Sequence, residues 1–440
     1  MPRRIYFDGL NLALPQGTGI ATYTRMLTQI ARGLGHETGV LYSTRQTPAR
    51  DPVLREIAFF DERRTSFGGT WFSDYMDAYR NLIGSFGVNR PVSLPRDNVV
   101  VARQFEGRLP EVEHNFVSPN VFSRAHTRFD ITGGFLPLAF ETPPDIMHCT
   151  YQLPLKARGA LNIVTIHDLV MLRLPFTTLD RKRKTYNLLR KIGREADHIV
   201  TVSENSRRDI IDLLGVEESR ITNTYQAVTF PQAMLESGPT QVEEQLSGAY
   251  GLGYRDYLLF FGAFEPKKNI SRIIDAYMES GVDIPLVLVT SQGWENDAES
   301  KRLAEQALTQ QAKAVSGKAL KRQVIRFQYV SRAMLVTLVR GARALVFPSL
   351  YEGFGLPVLE AMTLGTPVIT ANTSSLPEVA GEAALMVDPY DVQDIARGIR
   401  TMTHDVGLRE ALVERGLAQA EQFSPERYRA RIAALYDCLL

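Results

Sequence analysis

The residues best equipped for chemistry fall in three places. Glu352 and Glu360 have seven residues between them, and Gly353 and Gly355 stand in that interval. Two glycines let a backbone approach a ligand with no side chain in the way. Carboxylates beside such a loop suit hydroxyl groups, because a carboxylate accepts the hydrogen bonds that a ribose or hexose donates. The second place is Lys267-Lys268, shortly after Gly262. Two lysines at a glycine turn can neutralise a departing diphosphate. The third is His167-Asp168, a pair suited to hydrogen bonding with a sugar, with a histidine expected to titrate near neutral pH.

Each of these groups sits where an element must deliver it. Ala344 to Phe347 is a short apolar run that reads as a buried strand, ended by Pro348 and Ser349. Pro357 suits a first helical position, Val358, Leu359, Ala361, Met362 and Leu364 continue the helix, and Gly365 with Pro367 stops it. Strand, glycine loop and helix therefore bring the N–H groups of Phe354, Gly355 and Leu356 to a helix N-terminus, a seat for phosphate or for sugar hydroxyls. Near the start, the strand Ile5 to Phe7, the loop Gly17-Thr18-Gly19 and a helical pattern from Ile20 to Leu34 repeat the arrangement. Asn162 to Ile166 is a β-branched strand that carries His167 at its C-terminal end, where open α/β sheets bind ligands.

Further strands are expected at Ile199 to Ser203, Tyr257 to Phe261, Pro285 to Thr290, Val324 to Tyr329, Val368 to Thr370 and Ala384 to Val387. They alternate with helical stretches from about Ile270, over Ala298 to Ala314 and over Asp391 to Met402, the pattern of a parallel sheet. Ser203 and Ser424 are N-cap candidates. Residues 232–253 read as an interdomain linker with an entry helix. That divides the chain into an N-terminal unit over 1–235 and a C-terminal unit over 250–424, followed by a last helix over 425–440.

With 440 residues the chain is long enough for two or three domains. A net charge of +1 gives no sign of a nucleic-acid partner. Two cysteines, Cys149 and Cys438, make neither a disulfide framework nor a cysteine metal site, and fit a reducing cytoplasm. No run approaches the ~20 apolar residues of a membrane span. No Asp-x-Asp occurs, so no catalytic metal is expected.

The block Pro-Ser-x-x-Glu-Gly-Phe-Gly-Leu-Pro-x-x-Glu-Ala-Met, from Pro348 to Met362, resembles the signature of the retaining glycosyltransferases of family four. The loop from Gly262 to Asn269 is similar to that family's Gly-x-x-x-Pro-Arg-Lys-Asn, with Lys268 on its lysine and Lys267 in place of the arginine. Lys267 forgoes a bidentate phosphate clamp. Ala263 stands where many members carry another arginine. The resemblance implies a GT-B fold, two Rossmann-like domains facing across a cleft, with the last helix crossing back onto the N-terminal one. It implies no cofactor beyond a nucleotide diphosphate sugar as donor. Glu360 would hold the ribose, Lys268 with Lys267 the diphosphate, and Glu352 and His167 would lie near the donor hexose. Gly17, Gly19 and Gly262 would approach the donor with their backbone. Bacterial surface-polysaccharide enzymes with similar C-terminal blocks often use GDP-mannose, so transfer of mannose from GDP-mannose to a glycan or lipid-linked acceptor is the first expectation. Retention is compatible with same-face attack or with a covalent intermediate on a carboxylate.

Residues 44–140 carry scattered aromatics, Phe59, Phe60, Trp71, Phe72, Tyr75, Tyr79 and Phe86, which read as core packing or as the lining of an acceptor groove. The basic stretch 181–194 reads as a solvated helix face or as a patch for anionic lipid, which would place the protein at the inner face of a membrane. The rival functions are another GT-B activity, an epimerase or a phosphorylase, and a non-catalytic nucleotide-sugar-binding protein.

Overall fold

The computed structural model describes residues 2–12, 19–45, 47–61, 79, 81–95, 100, 109–177, 181–291, 323–328 and 330–440. Gly17, the aromatics Trp71, Phe72 and Tyr75, and the helix expected over 298–314 lie outside the described residues. The N-terminal domain is built on β1 (Arg4–Asp8), β2 (Glu37–Thr44), β3 (Val92–Ser93), β4 (His114–Pro119), β5 (Leu136–Leu138), β6 (Ile146–Cys149), β7 (Leu155–Ala157), β8 (Leu161–Thr165), β9 (His198–Thr201) and β10 (Ile221–Asn223). Eight of these form one sheet in the order β10-β9-β8-β6-β1-β2-β4-β3, parallel except for β3. The other two, β5 and β7, pair separately.

The C-terminal domain has β11 (Leu258–Ala263), β12 (Leu286–Ser291), β13 (Val324–Phe327), β14 (Ala344–Phe347), β15 (Val368–Ala371) and β16 (Leu385–Val387). They form a six-stranded parallel sheet in the order β13-β12-β11-β14-β15-β16. Helices cover both faces, so the strands read as continuous apolar runs, and Leu258 to Phe260 and Ala344 to Phe347 are fully buried.

Strand order locates the site. In the second sheet the chain runs outward in opposite directions from β11 and β14, so the crevice between their C-terminal ends is a topological switch point. The segments leaving those two strands are 264–269 and 348–355. In the first sheet the reversal lies between β1 and β6, with β8 next to β6. The switch points of the two domains face each other.

Helix Pro239–Tyr250 packs on the C-terminal domain, where Val242 and Leu246 are buried against helix Arg332–Gly341. Arg340 fixes the preceding segment by donating to the carbonyls of Met234, Leu235 and Ser237. The last helix, Pro425–Leu439, is capped by Ser424 and returns to the N-terminal domain. Arg429 donates to the Gly33 carbonyl, and the fully buried Tyr436 meets His148 Nδ1 at 3.0 Å. Burial pushes the His148 pKa down to about 3.

The basic helix occupies Lys182–Glu195 and spends its apolar side, Leu188, Leu189 and Ile192, on the N-terminal core. Lys184 pairs with Asp130 and Lys191 with Glu195, both at 2.6 Å. Phe59 packs edge-on against Tyr42 at 5.2 Å, whereas Tyr79 and Phe86 are exposed. Among the described residues no helix is long and apolar enough to cross a membrane.

Candidate active site

The loop after β14 begins with Leu350, whose N–H donates to the Lys267 carbonyl and so ties the two switch-point loops together. Glu352 follows, buried, its N–H on Ser374 Oγ and its carbonyl accepting from Ser375 Oγ. Gly355 has φ of +107°, and a β-carbon there would lie 2.8 Å from Leu376. Only glycine meets both conditions. The helix Leu356–Thr363 starts at once, with Pro357 at its second position rather than its first. Its first-turn N–H groups have no acceptor within the helix. Phe354 is buried against Tyr225 and Phe423, so only its backbone is offered to a ligand.

Near the end of β11, Gly262 lies beside the Lys268 side chain. A short turn, Pro266–Lys268, follows, and Asn269 holds a left-handed φ of +63° while its amide donates to the carbonyls of Pro348 and Pro389. That anchorage aims Lys268 inward. Lys268 Nζ contacts Glu352 Oε1 at 2.7 Å, with both side chains largely buried, and stands 5.0 Å above the Phe347 ring. Lys268 and Glu352, which the sequence offers for the diphosphate and for the neighbourhood of the hexose, form one buried ion pair. A ligand anion must share Lys268 with Glu352. Burial works against the charge of Lys267, yet Asp168, Glu352 and Glu265 around it raise its pKa above the ordinary lysine value.

His167 follows β8, at the strand's C-terminal end. Nε2 lies 2.9 Å from the Thr150 carbonyl, which can only accept, so Nε2 carries the proton. Burial lowers the pKa, opposed by that hydrogen bond and by Asp168. Burial thus favours the neutral ring, and with the proton on Nε2 it is Nδ1 that is left as an acceptor. Its partner is itself fixed: buried Asp8, at the end of β1, accepts from Thr150 N and from Thr150 Oγ1 at 2.8 Å. Asp168 accepts from Val170 N at 3.1 Å and shapes the turn. The domains meet here, since a β-carbon on Gly353 would stand 2.6 Å from the His167 carbonyl oxygen.

Glu360 lies away from this cluster, in a narrow interdomain cleft. Gly19, Thr22, Tyr23 and Met26 of helix Gly19–Gly33 line one side, and Leu356, Glu360 and Arg332 the other. Burial raises the Glu360 pKa to about 7, and Arg332, 3.8 Å away, pulls it down only in part. Tyr23 joins the two groups, because it lines the cleft and sets its ring edge-on to His167 at 4.9 Å. Sequence reading did not single out Arg332, Tyr23 or Tyr428 as site residues. The last reaches the cleft from the C-terminal helix, 409 positions after Gly19 in the chain order that the fold alone brings together.

Two facing Rossmann-like domains, with phosphate-ready loops and carboxylates at the switch point of the second, define a GT-B glycosyltransferase. Residues 249–419 match the family described as "Glycosyl transferases group 1", and residues 96–228 that described as "Glycosyltransferase Family 4". The O-antigen chain mannosyltransferase B of Escherichia coli is 36% identical over 66% of this chain and 73% of its own length. The serotype-specific mannosyltransferase WbdA of the same organism is 31% identical over 52% of this chain, which spans only 27% of that longer protein. Among solved structures, Anabaena HepE in complex with UDP-glucose superposes with a TM-score of 0.62 at 15% identity, covering 99% of this chain and all of that one. The chain belongs to the family-four glycosyltransferases.

Proposed function

We propose that the protein transfers mannose from GDP-mannose to a hydroxyl of a glycan or lipid-linked acceptor, with retention, in bacterial surface-polysaccharide synthesis. The mannosyltransferases that it resembles support the sugar. The nucleotide-sugar class is supported by the HepE complex with UDP-glucose. The observation that carries the reading is the placement of Lys267, Lys268, Glu352 and the start of helix Leu356–Thr363 around one switch point, with Glu360 one turn inside that helix.

In this reading Glu360 accepts from the ribose hydroxyls. The first-turn N–H groups at Gly355 and Leu356 and the ammonium groups of Lys267 and Lys268 hold the diphosphate. The bond from the anomeric carbon to the diphosphate oxygen breaks with its electron pair going to the phosphate. The acceptor hydroxyl adds to that carbon from the same face, and its proton passes to the departing phosphate oxygen. Glu352 is held by Lys268, which favours this route over attack by Glu352 itself. Lysines and backbone dipoles supply the positive charge, so activity without an added divalent ion is part of the proposal. His167 Nδ1 accepts from a hydroxyl of the hexose. Any membrane contact of the basic helix is electrostatic, through Arg181, Arg183 and Arg194, since its apolar side is buried.

A thermal-shift panel of nucleoside diphosphates and their sugars tests the donor. GDP-mannose at ~100 times its dissociation constant stabilises by ~2.7 kcal/mol. A shift with UDP-sugars and none with GDP-mannose overturns the assignment of the base.

A further inference from the structure

Helix Glu204–Leu214 of the N-terminal domain has an unusual N-terminus. Its own cap, Ser203, accepts from the N–H of Ser206 at 3.0 Å, the third helical residue. The N–H groups of Glu204 and Asn205 come before it and have no acceptor within the helix. A residue of the other domain receives them. Glu378, on helix Leu376–Ala380, accepts from Glu204 N at 2.7 Å through Oε1 and from Asn205 N at 3.2 Å through Oε2. A carboxylate at the positive end of a helix, with one oxygen on each N–H, is a charge-assisted contact stronger than a bond between neutral groups.

The same helical turns carry the rest of the domain contact. Ser206 Oγ lies 3.0 Å from the His167 carbonyl and 3.3 Å from the Gly353 carbonyl, so one hydroxyl bridges the loops of the two domains. Tyr351 donates its hydroxyl to Asp209 and accepts from the Asn205 side chain at 3.3 Å. Arg173 fixes Asp209 from behind, Nε on Oδ1 at 2.7 Å. Tyr351 and Gly353 flank Glu352, and His167 precedes Asp168. Whatever docks this helix against the second domain therefore also sets the distance between the His167 loop and the Glu352 loop.

We propose that Glu378 is a positioning residue, the latch that docks the second domain on the N-terminus of helix Glu204–Leu214 and so brings the His167 and Glu352 loops into register for transfer. The contact is polar and lies at the domain boundary. It exchanges with water at little cost when the domains part to admit donor and acceptor, which suits a reversible latch better than a permanent joint. Glu378 touches neither the lysines nor Glu360, so the nucleotide site of the second domain stays intact without it.

The test rests on the transferase reading for its activity arm only. Glu378→Ala, Glu378→Gln and the wild-type chain are compared in three measurements: GDP affinity by calorimetry, transfer from saturating GDP-mannose to an α-mannoside acceptor, and radius of gyration by solution X-ray scattering. For Glu378→Ala the expected result is a GDP dissociation constant within about twofold of wild type, transfer lower by about tenfold or more, as for loss of hydrogen bonds to a charged acceptor, and a larger radius of gyration. Glu378→Gln keeps one acceptor oxygen and recovers part of both losses. An unchanged radius of gyration overturns the latch. So does a loss of GDP affinity that matches the loss of transfer, because Glu378 would then only support the second domain's own fold. If the wild-type protein transfers nothing from GDP-mannose, the donor assignment fails, and the scattering comparison still decides the latch.

Discussion

Replacing Glu360 by Gln should make the protein more stable and a poorer binder at once. The carboxyl is buried in the interdomain cleft and its pKa is raised from 4.5 to about 7, by burial that the Arg332 guanidinium only partly offsets. At 1.36 kcal/mol per pH unit that rise corresponds to about 3 kcal/mol, to be taken as an upper figure because the side chain keeps some contact with water. The sign follows from which state holds the proton. The folded chain keeps it up to about pH 7 and the unfolded chain releases it near 4.5, so stability declines as pH rises through this window and the full penalty stands above 7. Glu360→Gln cannot ionise and escapes the penalty. Its melting temperature should exceed that of wild type at pH 8, and most of that gap should close by pH 5. If Glu360 holds the ribose, the same variant loses a charged acceptor and binds GDP more weakly by about 1.5–3 kcal/mol. Calorimetry with GDP at pH 8 and thermal melts at pH 5 and 8 read both effects. A gap in melting temperature that does not depend on pH would refute the desolvated carboxylate. Unchanged GDP affinity would refute its role in ribose binding.

The other expectations concern the lysine, the histidines and metal. Lys268→Ala should reduce transfer by ~10², the scale of losing one preorganised partner of the leaving charge. It should also lower the melting temperature, because Glu352 is left buried and unpaired. Adding Glu352→Gln should restore the stability and not the activity, and recovery of transfer in the double variant would contradict the role of Lys268. His167→Ala should keep GDP affinity within a few-fold and lose most transfer, whereas His167→Gln, which can still donate to the Thr150 carbonyl, should retain the loop and part of the rate. A wild-type rate in His167→Ala removes the residue from the site. Buried His148, with its pKa of about 3, stays neutral when folded but protonates below 6.5 when unfolded, so it costs stability as pH falls from 6.5 toward 3. Acid titrations monitored by circular dichroism should show a shallower decline for His148→Gln over that range. Transfer should survive EDTA, and abolition by chelator with rescue by magnesium or manganese would end the metal-independent reading.

The sequence alone determined what depends on spacing within one element. A four-residue separation fixes where Leu356 and Glu360 fall on a helix, and a glycine loop between an apolar strand and a helix with proline in its first turn is legible in the sequence. The alternation of strand and helix likewise determined the parallel sheet of the second domain, and the serine caps at 203 and 424 determined where two helices begin. Tertiary structure decided every pairing between elements. Lys268 and Glu352 are 84 residues apart, and they meet because β11 and β14 are neighbours at a switch point. Arg332 reaches Glu360, Tyr436 reaches His148, and Glu378 reaches the N–H groups of Glu204 and Asn205, by the crossing of helices and the closing of domains. The tautomer of His167 was hidden for the same reason. A histidine's tautomer is set by the atom that faces it, here a carbonyl from the loop after a neighbouring strand, and strand order is a property of the fold rather than of any local run of residues.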